Sequence, residues 1–286
     1  MRVGDTILMG LMGAQISGSR SPVLHQSEAA AQGYSGIYRL IDLDVLGLDA
    51  ASLPELLRFA RMYGFVGVNI TYPCKQAILP YIDELSDHAR ILGSVNTVAF
   101  RNGRSFGHNT DWSGYSQAFR SGLEGVKLDR VVQFGAGGAG SAVAYGLLSL
   151  GVARLTLIDQ DETRARAIAR QFSTVFPKQI IEAGSDPQAA VATADGIVNT
   201  TPVGMEKFPG MPFPSEWLQA SHWVSEIVYF PLETELLARA RALGCRTLDG
   251  AGMNIHQAAE AFGVMTGLTA DIERMKFFFE AAGRSA

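Results

Sequence analysis

Three short polar runs near the start of the chain carry side chains that can bind an acid group and several hydroxyls. Each follows an apolar segment, and the runs are Ser19-Arg20-Ser21-Pro22, Asn69-Ile70-Thr71-Tyr72-Pro73-Cys74-Lys75 and Asn109-Thr110-Asp111. Groups beyond the carboxyl ends of parallel strands line the ligand crevice of open sheets, so we expect these side chains to converge. Hydroxyls, amides, one lysine and one carboxylate suit a small polyhydroxylated acid.

A glycine-rich run in the middle of the chain has the spacing of a dinucleotide-binding loop. Gly135, Gly137 and Gly140 give the pattern G-x-G-x-x-G directly after the apolar run Val131 to Phe134, and a helical pattern follows. These glycines permit a tight turn, close approach of a pyrophosphate, and close packing of helix on sheet. The loop is not followed by Gly-Lys-Ser or Gly-Lys-Thr, which disfavours phosphoryl transfer. The pattern therefore predicts a bound hydride carrier.

Asp159 ends the next predicted strand, near the offset of roughly 20 residues at which an acidic side chain holds the adenosine ribose. A carboxylate there accepts the ribose 2′-hydroxyl and repels a 2′-phosphate, which should favour NAD over NADP by at least ~10-fold. Arg164 and Arg166 lie nearby, but exposed helix positions are the commoner place for arginine. We therefore predict NAD as the cofactor.

The first part of the chain alternates between strand and helix patterns. The segments are Thr6 to Met12, Leu24 to Gln32, Ile37 to Leu43, Leu53 to Tyr63 and Val66 to Ile70. Such alternation predicts βαβ units around a mostly parallel sheet. Asn102-Gly103 lies between two β-rich runs and predicts a hairpin with a tight primed turn.

A second alternating series runs from Arg130 to about Asp249 and predicts a doubly wound Rossmann sheet of about six strands. The strand candidates are Val131 to Phe134, Leu155 to Ile158, Gly196 to Asn199 and Trp223 to Val228. We therefore expect an α/β protein in three parts. These are a substrate-binding domain over residues 1–111, an NAD-binding domain over 112–250, and C-terminal helices over 251–286 that pack back on the substrate domain.

Composition excludes several classes of protein. The formal net charge of −4 provides no positive field for a nucleic acid backbone, and no apolar run approaches the ~20 residues that span a bilayer. The two cysteines, Cys74 and Cys245, have no metal-ligand spacing around them, so no metal site is predicted. No secretory signal is evident, and we expect a cytoplasmic protein that binds neither nucleic acid nor membrane.

Ordered motifs over nearly the whole chain resemble the shikimate dehydrogenase family, including its NAD-dependent quinate/shikimate branch. Besides the glycine loop, they are Ser19-Arg20-Ser21-Pro22, Gly67-Val68-Asn69-Ile70-Thr71-x-Pro73-x-Lys75, Gly93-Ser94-Val95-Asn96-Thr97, Gly107-His108-Asn109-Thr110-Asp111-x-x-Gly114, Asn199-Thr200-Thr201-Pro202-Val203-Gly204-Met205, Val228-Tyr229-x-Pro231-x-x-Thr234 and Gly252-Met253-x-x-x-Gln257. The resemblance implies reversible hydride transfer between the 3-hydroxyl of shikimate and a nicotinamide cofactor. We expect a monomer or a homodimer.

The resemblance also implies a role for each matching residue. Lys75 and Asp111 form the catalytic pair, because the hydroxyl proton must leave when hydride leaves the same carbon. Ser19 and Ser21 hold the substrate carboxylate with Tyr229 close by. The residues that bind ring hydroxyls are Asn69, Thr71, Asn96, Asp111 and Gln257. The cofactor-binding set is Gly135, Ala136, Gly137, Gly138, Ala139, Asp159, Thr201, Val228 and Gly250.

Two departures from the family pattern bear on specificity. NADP-using members have an Asn-Arg-Thr pattern where this chain has Asp159-Gln160-Asp161, which agrees with the prediction of NAD. Quinate users in the NAD-dependent branch often have threonine at the position of Ser21, so the serine favours shikimate or an amino analogue over quinate.

Other interpretations of the same residues stay open. Taken alone, Lys75 is more often a solvated charge, Asp111 a helix N-cap, and Ser19 and Ser21 turn residues before a proline. A folate one-carbon dehydrogenase would carry Tyr-x-x-x-Lys, whereas Tyr72 and Lys75 have only two residues between them. A non-catalytic NAD-binding regulatory paralogue is the alternative from another class, and quinate or aminoshikimate dehydrogenase activity is the alternative within the family.

Overall fold

The computed structural model describes residues 4–283 of the 286-residue chain. These residues form two compact units, one made of residues 4–110 with 255–283 and the other of residues 111–254. Within the described ranges, no helix is both long enough and apolar enough to cross a membrane.

Strands and helices alternate along the chain, as the apolar patterning predicts. The strands in the described residues are β1 (Thr6–Gly13), β2 (Ser35–Asp42), β3 (Gly67–Ile70), β4 (Glu84–Leu85), β5 (Thr97–Arg101), β6 (Arg104–His108), β7 (Arg130–Phe134), β8 (Arg154–Ile158), β9 (Ile180–Ala183), β10 (Gly196–Asn199), β11 (Trp223–Glu226) and β12 (Arg246–Leu248). The α-helices are α1 (Ser21–Ala31), α2 (Leu43–Leu46), α3 (Leu53–Met62), α4 (Cys74–Ala77), α5 (Asp87–Leu92), α6 (Asp111–Gly122), α7 (Gly138–Ser149), α8 (Glu162–Val175), α9 (Pro187–Ala192), α10 (Glu235–Ala242), α11 (Gly250–Thr266) and α12 (Ile272–Gly283).

The first unit contains a mixed sheet with the strand order β2-β1-β3-β5-β6-β4. Three of its five strand pairs are parallel, and β5 runs antiparallel to both β3 and β6. The β5–β6 turn places Asn102 at φ 50° and Gly103 at φ 76°, which confirms the primed turn predicted from this dipeptide. Strand β1, between β2 and β3, is almost entirely buried, so its apolar side chains are part of the core of the unit.

A buried carboxylate joins the C-terminal helix α12 to α1. Glu28 of α1 is 0% exposed, and it accepts from Arg274 Nε at 2.7 Å and Arg274 Nη2 at 2.8 Å. The backbone N–H of Asp271 and the Gln32 side chain donate to the same carboxylate. Burial alone raises the pKa of Glu28, but these hydrogen bonds outweigh it and hold the pKa below its ordinary value. Glu28 is therefore a charged anchor for the last helix.

The second unit contains a fully parallel sheet with the strand order β12-β11-β10-β7-β8-β9. From β7 the chain extends outward through β8 and β9, then returns to the other side of β7 for β10, β11 and β12. This is the doubly wound order that binds dinucleotides where the winding direction reverses. The carboxyl ends of β7 and β10 are therefore where a dinucleotide is expected to bind.

The structure corrects some of the predicted boundaries. Helix α1 begins at Ser21 and not at Leu24, because Pro22 occupies its first turn, where a missing N–H costs nothing. The edge strands β9 and β12 were not among the four strand candidates of the second series. Both are short and only partly buried, so their sequences lack the continuous apolar run of the central strands.

Candidate active site

The two serines of the predicted acid-binding turn lie side by side where the loop after β1 enters α1. Ser19 Oγ donates to Ser21 Oγ at 3.1 Å, and the Ser21 backbone N–H donates to Ser19 Oγ at 3.3 Å. Both side chains are partly exposed. Two adjacent hydroxyls at the start of a helix can donate together to the oxygens of one carboxylate.

Asn69, at the end of β3, is buried and its hydrogen bonds fix the direction of its amide. Asn69 Nδ2 donates to the Asn96 carbonyl at 3.2 Å and to Thr97 Oγ1 at 3.0 Å, while Asn69 Oδ1 accepts from the Tyr38 hydroxyl at 2.8 Å. Both amide hydrogens are therefore used within the protein. Because the amide oxygen has a second lone pair, Asn69 can meet a ligand hydroxyl only as an acceptor.

Tyr38 was not among the predicted site residues. Its ring is buried, and its hydroxyl contacts Ser21 as well as Asn69. The neutral ring of His25 stacks on it, with centroids 4.8 Å apart, and burial lowers the pKa of His25 to about 3. One phenol thus joins the acid-binding turn to the amide of β3. From sequence alone, Tyr38 is predicted only to be an apolar residue of a strand.

The structure brings Asn96 and Gln257 together. Asn96 Nδ2 lies 3.5 Å from Gln257 Oε1 and donates to Thr110 Oγ1 at 3.0 Å, while Asn96 Oδ1 accepts from the Thr110 backbone N–H at 2.8 Å. Thr110 Oγ1 also donates to the backbone carbonyl of Gln257 at 3.1 Å. Residues that are far apart in sequence therefore form one polar cluster in the first unit.

Lys75 and Thr71 lie in the segment that follows β3. The Thr71 carbonyl accepts from the Cys74 N–H at 2.8 Å, which turns the chain into the short helix α4 that carries Lys75. The Lys75 carbonyl accepts from the Val95 N–H at 2.8 Å, so the backbone on which the lysine is mounted is fixed to the neighbouring segment. The lysine is partly exposed.

Asp111 begins helix α6 and follows Thr110 directly in the chain. Asp111 is only 7% exposed, whereas a capping residue on the protein surface would be largely exposed to solvent. Thr110 is held by Asn96 at the end of the first unit, and Asp111 is the first residue of the second. The backbone immediately before Asp111 is therefore held by a hydrogen bond.

The predicted glycine loop lies between β7 and α7. Gly135 has φ +98°, a conformation that side chains other than glycine rarely adopt. At Gly140, a Cβ atom would lie 2.5 Å from the Gly135 carbonyl oxygen, so this position has no room for a side chain. Gly137 precedes α7 and Gly138 begins it, and both are exposed at the helix N-terminus, whose first N–H groups have no partner within the helix. A helix N-terminus of this kind suits a bound phosphate.

The loop and Asp159 are in direct contact. Asp159 Oδ2 accepts from the Ala136 N–H at 2.6 Å, and its other oxygen accepts from the Asp161 N–H at 2.9 Å. Arg164 and Arg166, the two nearby cations, are exposed and pair with acidic side chains: Arg164 with Asp161 at 3.3 Å, and Arg166 with Glu162. The carboxylate is therefore the charged group held against the glycine loop.

A buried glutamate that sequence reasoning missed connects the loops after β10 and β11. Glu226 is 1% exposed and accepts from Asn199 Nδ2 at 2.9 Å and from the Val228 N–H at 3.0 Å. Asn199 Oδ1 in turn accepts from the hydroxyl and the N–H of Thr201. Burial raises the pKa of Glu226 to about 7. Thr201 and Val228, both predicted to contact the cofactor, are thus held by one network.

Tyr229 and Gly250 complete the predicted set in the second unit. Tyr229 follows Val228 and is 36% exposed, at the beginning of the loop after β11. At Gly250, the first residue of α11, a Cβ atom would lie 2.4 Å from the Ile227 carbonyl oxygen. The start of α11 therefore packs directly against the backbone that carries Val228 and Tyr229.

Comparison with known proteins identifies the family of the chain. The family model described as "Shikimate dehydrogenase substrate binding domain" matches residues 11–98. The shikimate dehydrogenase (NADP(+)) of Pseudarthrobacter chlorophenolicus is 51% identical over 277 residues, which cover 96% of this chain and 94% of that protein. The quinate/shikimate dehydrogenase (NAD(+)) of Corynebacterium efficiens is 48% identical over 279 residues, which cover 96% and 98% of the two chains.

The likeness extends to three-dimensional structure. The quinate dehydrogenase from Corynebacterium glutamicum, solved in complex with NAD, superposes with a TM-score of 0.93 at 46% identity, covering 97% of this chain and all of that one. Sequence and structure therefore match over nearly the full length. The chain belongs to the shikimate dehydrogenase family.

Proposed function

We propose that this protein is an NAD-linked shikimate dehydrogenase, which interconverts shikimate and 3-dehydroshikimate by hydride transfer at carbon 3. The observation that carries the proposal is the hydrogen-bonded polar cluster at the strand ends of the first unit, in a chain that also holds a carboxylate against a glycine loop. The first feature suits a polyhydroxylated acid, and the second suits a dinucleotide.

In the substrate site, we propose that Ser19 and Ser21 bind the carboxylate and that Tyr229 lies close to it. The adjacent hydroxyls of the two serines support this role. Asn69 accepts a hydrogen bond from a ring hydroxyl, since both of its own donors are engaged. The other residues proposed to bind ring hydroxyls are Thr71, Asn96, Asp111 and Gln257.

Lys75 and Asp111 are the proposed catalytic pair. A bound nicotinamide supplies the hydride acceptor at its C4 position. As hydride leaves carbon 3 of the substrate, the hydroxyl proton passes to the Lys75–Asp111 pair, and in reduction the pair returns a proton to the ketone oxygen. Positioned acid–base groups of this kind contribute about 10²–10⁴ in rate.

For the cofactor, we propose NAD over NADP. Relatives of both kinds exist, since one of the similar enzymes is named for NADP(+) and another for NAD(+). In this chain the ribose position holds Asp159, and the neighbouring Arg164 and Arg166 are engaged by acidic partners. The other residues proposed to contact the cofactor are Gly135, Ala136, Gly137, Gly138 and Ala139 at the phosphates, and Thr201, Val228 and Gly250 at the nicotinamide end.

The organisation that goes with this function is also a proposal. Residues 1–111 form the substrate-binding domain, residues 112–250 form the cofactor-binding domain, and the helices of residues 251–286 pack back on the substrate domain, a division supported by the two compact units. Both cysteines are unpaired and buried, which suits work in the reducing cytoplasm. We propose a monomer or homodimer that needs neither nucleic acid nor membrane.

One steady-state experiment tests the proposal. Purified protein is assayed with shikimate, quinate and aminoshikimate, each with NAD and with NADP, by the absorbance of the reduced cofactor. We expect the highest kcat/KM with shikimate and NAD; higher kcat/KM with quinate would favour the second candidate, which the likeness to a quinate dehydrogenase supports. Binding of NADH without turnover of any acid would favour a regulatory paralogue and overturn the proposal.

A further inference from the structure

Gln133 is a buried polar side chain beneath the glycine loop. It lies in β7 between Val132 and Phe134, and it is 0% exposed. Its Nε2 donates to the Gly135 carbonyl at 2.8 Å and to the Gly140 carbonyl at 2.9 Å. A buried amide among apolar residues is costly unless it is hydrogen-bonded, and here the bonds reach both ends of the loop.

The amide nitrogen and the amide oxygen of Gln133 have different surroundings. Both hydrogens of Nε2 point at carbonyl oxygens of the loop, whereas Oε1 is buried and has no hydrogen-bond partner among the described residues. Rotating the amide by half a turn would place its oxygen against those carbonyls, so the orientation is fixed. The side chain is thus arranged to hold the loop and leaves its own acceptor unsatisfied.

Thr200 holds the same loop from the neighbouring strand. It follows β10, and its Oγ1 lies 2.8 Å from the carbonyl oxygens of both Phe134 and Gly135. Gln133 Nε2 lies 3.5 Å from this hydroxyl. A Cβ atom at Gly135 would lie 2.6 Å from Thr200 Oγ1, so the glycine is needed for this contact as well as for its φ. Side chains from two strands therefore hold the Gly135 carbonyl.

We propose that Gln133, supported by Thr200, is a positioning residue that keeps the glycine loop in its phosphate-binding conformation and so sets the affinity for the dinucleotide. The proposal rests on the dinucleotide site of the proposed function. The hydrogen bonds that Gln133 makes to the loop go to its carbonyl oxygens, which leaves the N–H groups at the start of α7 for the ligand. A loop that is already in its bound conformation loses less entropy on binding, and this increases affinity.

The test is the variant Gln133→Met, which keeps the length of the side chain and removes its hydrogen bonds. NADH binding is followed by fluorescence titration of the full chain. We expect the Kd for NADH to rise about 3- to 10-fold, the effect of losing one or two neutral hydrogen bonds. At saturating cofactor, kcat and the KM for shikimate should change by less than about twofold.

A purely structural role gives a different pattern. Gln133→Met loses two hydrogen bonds, which lowers stability, but it also removes the buried and unpartnered Oε1, which raises it. Because these two effects oppose each other, we expect little change in thermal stability. The matched control is Tyr115→Phe, which removes a buried hydrogen bond of 3.2 Å to Ser225, a residue of β11 that is not part of the loop. It should lower thermal stability without changing the Kd. A lower Tm for Gln133→Met with an unchanged Kd would overturn the proposal.

A second pair of variants keeps the test decisive if Gln133→Met does not fold. Thr200→Val removes the hydroxyl from the Gly135 carbonyl, whereas Thr200→Ser keeps it; only the valine variant should weaken NADH binding. Equal binding by both would overturn the proposal. Failure of the unmodified protein to bind NADH would instead refute the dinucleotide site itself, so the two failures are distinguishable.

Discussion

The Tyr38 hydroxyl donates a 2.8 Å hydrogen bond to Asn69 Oδ1, and the same hydroxyl contacts Ser21. Three residues from separate elements are thereby placed relative to one another by one buried phenol. Ser21 lies at the start of α1, Tyr38 in β2 and Asn69 at the end of β3. The relative position of the proposed carboxylate and hydroxyl subsites therefore depends on a residue that does not need to touch the substrate.

Tyr38→Phe should weaken substrate binding selectively. Removing the hydroxyl leaves Asn69 and Ser21 without their common partner, and we expect the KM for shikimate to rise about 3- to 10-fold, with a loss of about 1 kcal/mol in stability. The Kd for NADH should not change. Tyr115→Phe, a buried phenol in the other unit, is the matched control. An unchanged KM for the acid would show that the phenol does not position the subsites.

Lys75→Met should abolish most of the turnover. The variant keeps the aliphatic stem and removes the ammonium, so we expect kcat to fall about 10²- to 10⁴-fold while the Kd for NADH stays within twofold. The exposed Lys276, in the same unit, provides the control Lys276→Met, which should leave both quantities unchanged. If the Lys75 variant lost NADH binding and retained kcat, the proposed role of Lys75 would be wrong.

Asp159→Asn should shift the cofactor preference toward NADP. The amide can still accept a hydrogen bond, but it no longer repels a 2′-phosphate, so the ratio of kcat/KM for NAD to that for NADP should fall at least ~10-fold. Glu162→Gln removes a neighbouring negative charge that pairs with Arg166, and it is expected to change the ratio much less. Equal shifts in the two variants would indicate a general charge effect and no specific contact.

Glu226→Gln should remove a pH dependence of stability. The pKa of Glu226 is raised by burial from 4.5 to about 7, so its protonated form favours the folded state. That contribution is fully present below the unfolded value and is lost as the pH rises through the folded value. Glutamine resembles the protonated acid, so the variant should lose less stability than the unmodified protein between about pH 5 and 8.

Urea unfolding at several pH values measures this difference. The exposed Glu235 gives the control Glu235→Gln, which should retain the pH dependence of the unmodified protein. Parallel pH profiles for the Glu226 variant and the unmodified protein would mean that Glu226 is already ionised in the folded state near pH 5.

Local patterns predicted the parts of the fold that depend on local physics. The turn at Asn102 and Gly103 needs two residues with positive φ, and the glycine loop needs room for a tight turn, so residue type alone identifies both. The edge strand β9 was missed because Ile180 is 48% exposed and the strand presents no continuous apolar face. The family motifs predicted the polar clusters, but not what holds them.

The residues that hold the site are defined by partners distant in sequence. From sequence alone, Gln133 is predicted only to belong to a buried strand, and its role becomes evident once the structure places Thr200 beside it. The role of Tyr38 likewise depends on its contact with Asn69, 31 residues away. Glu226 is likewise defined by Asn199. Such roles depend on strand order and register, which a single sequence does not specify.

The ion pair between Glu28 and Arg274 has a consequence for the order in which the protein is made. The ribosome adds Glu28 246 residues before its partner, and until then the carboxylate has no cation to accompany it into the interior. We expect residues 111–254 to fold first in the nascent chain. The sheet of the first unit, although synthesised earlier, should become stable only after α12 has been synthesised. A chain truncated before Arg274 should remain dependent on chaperones.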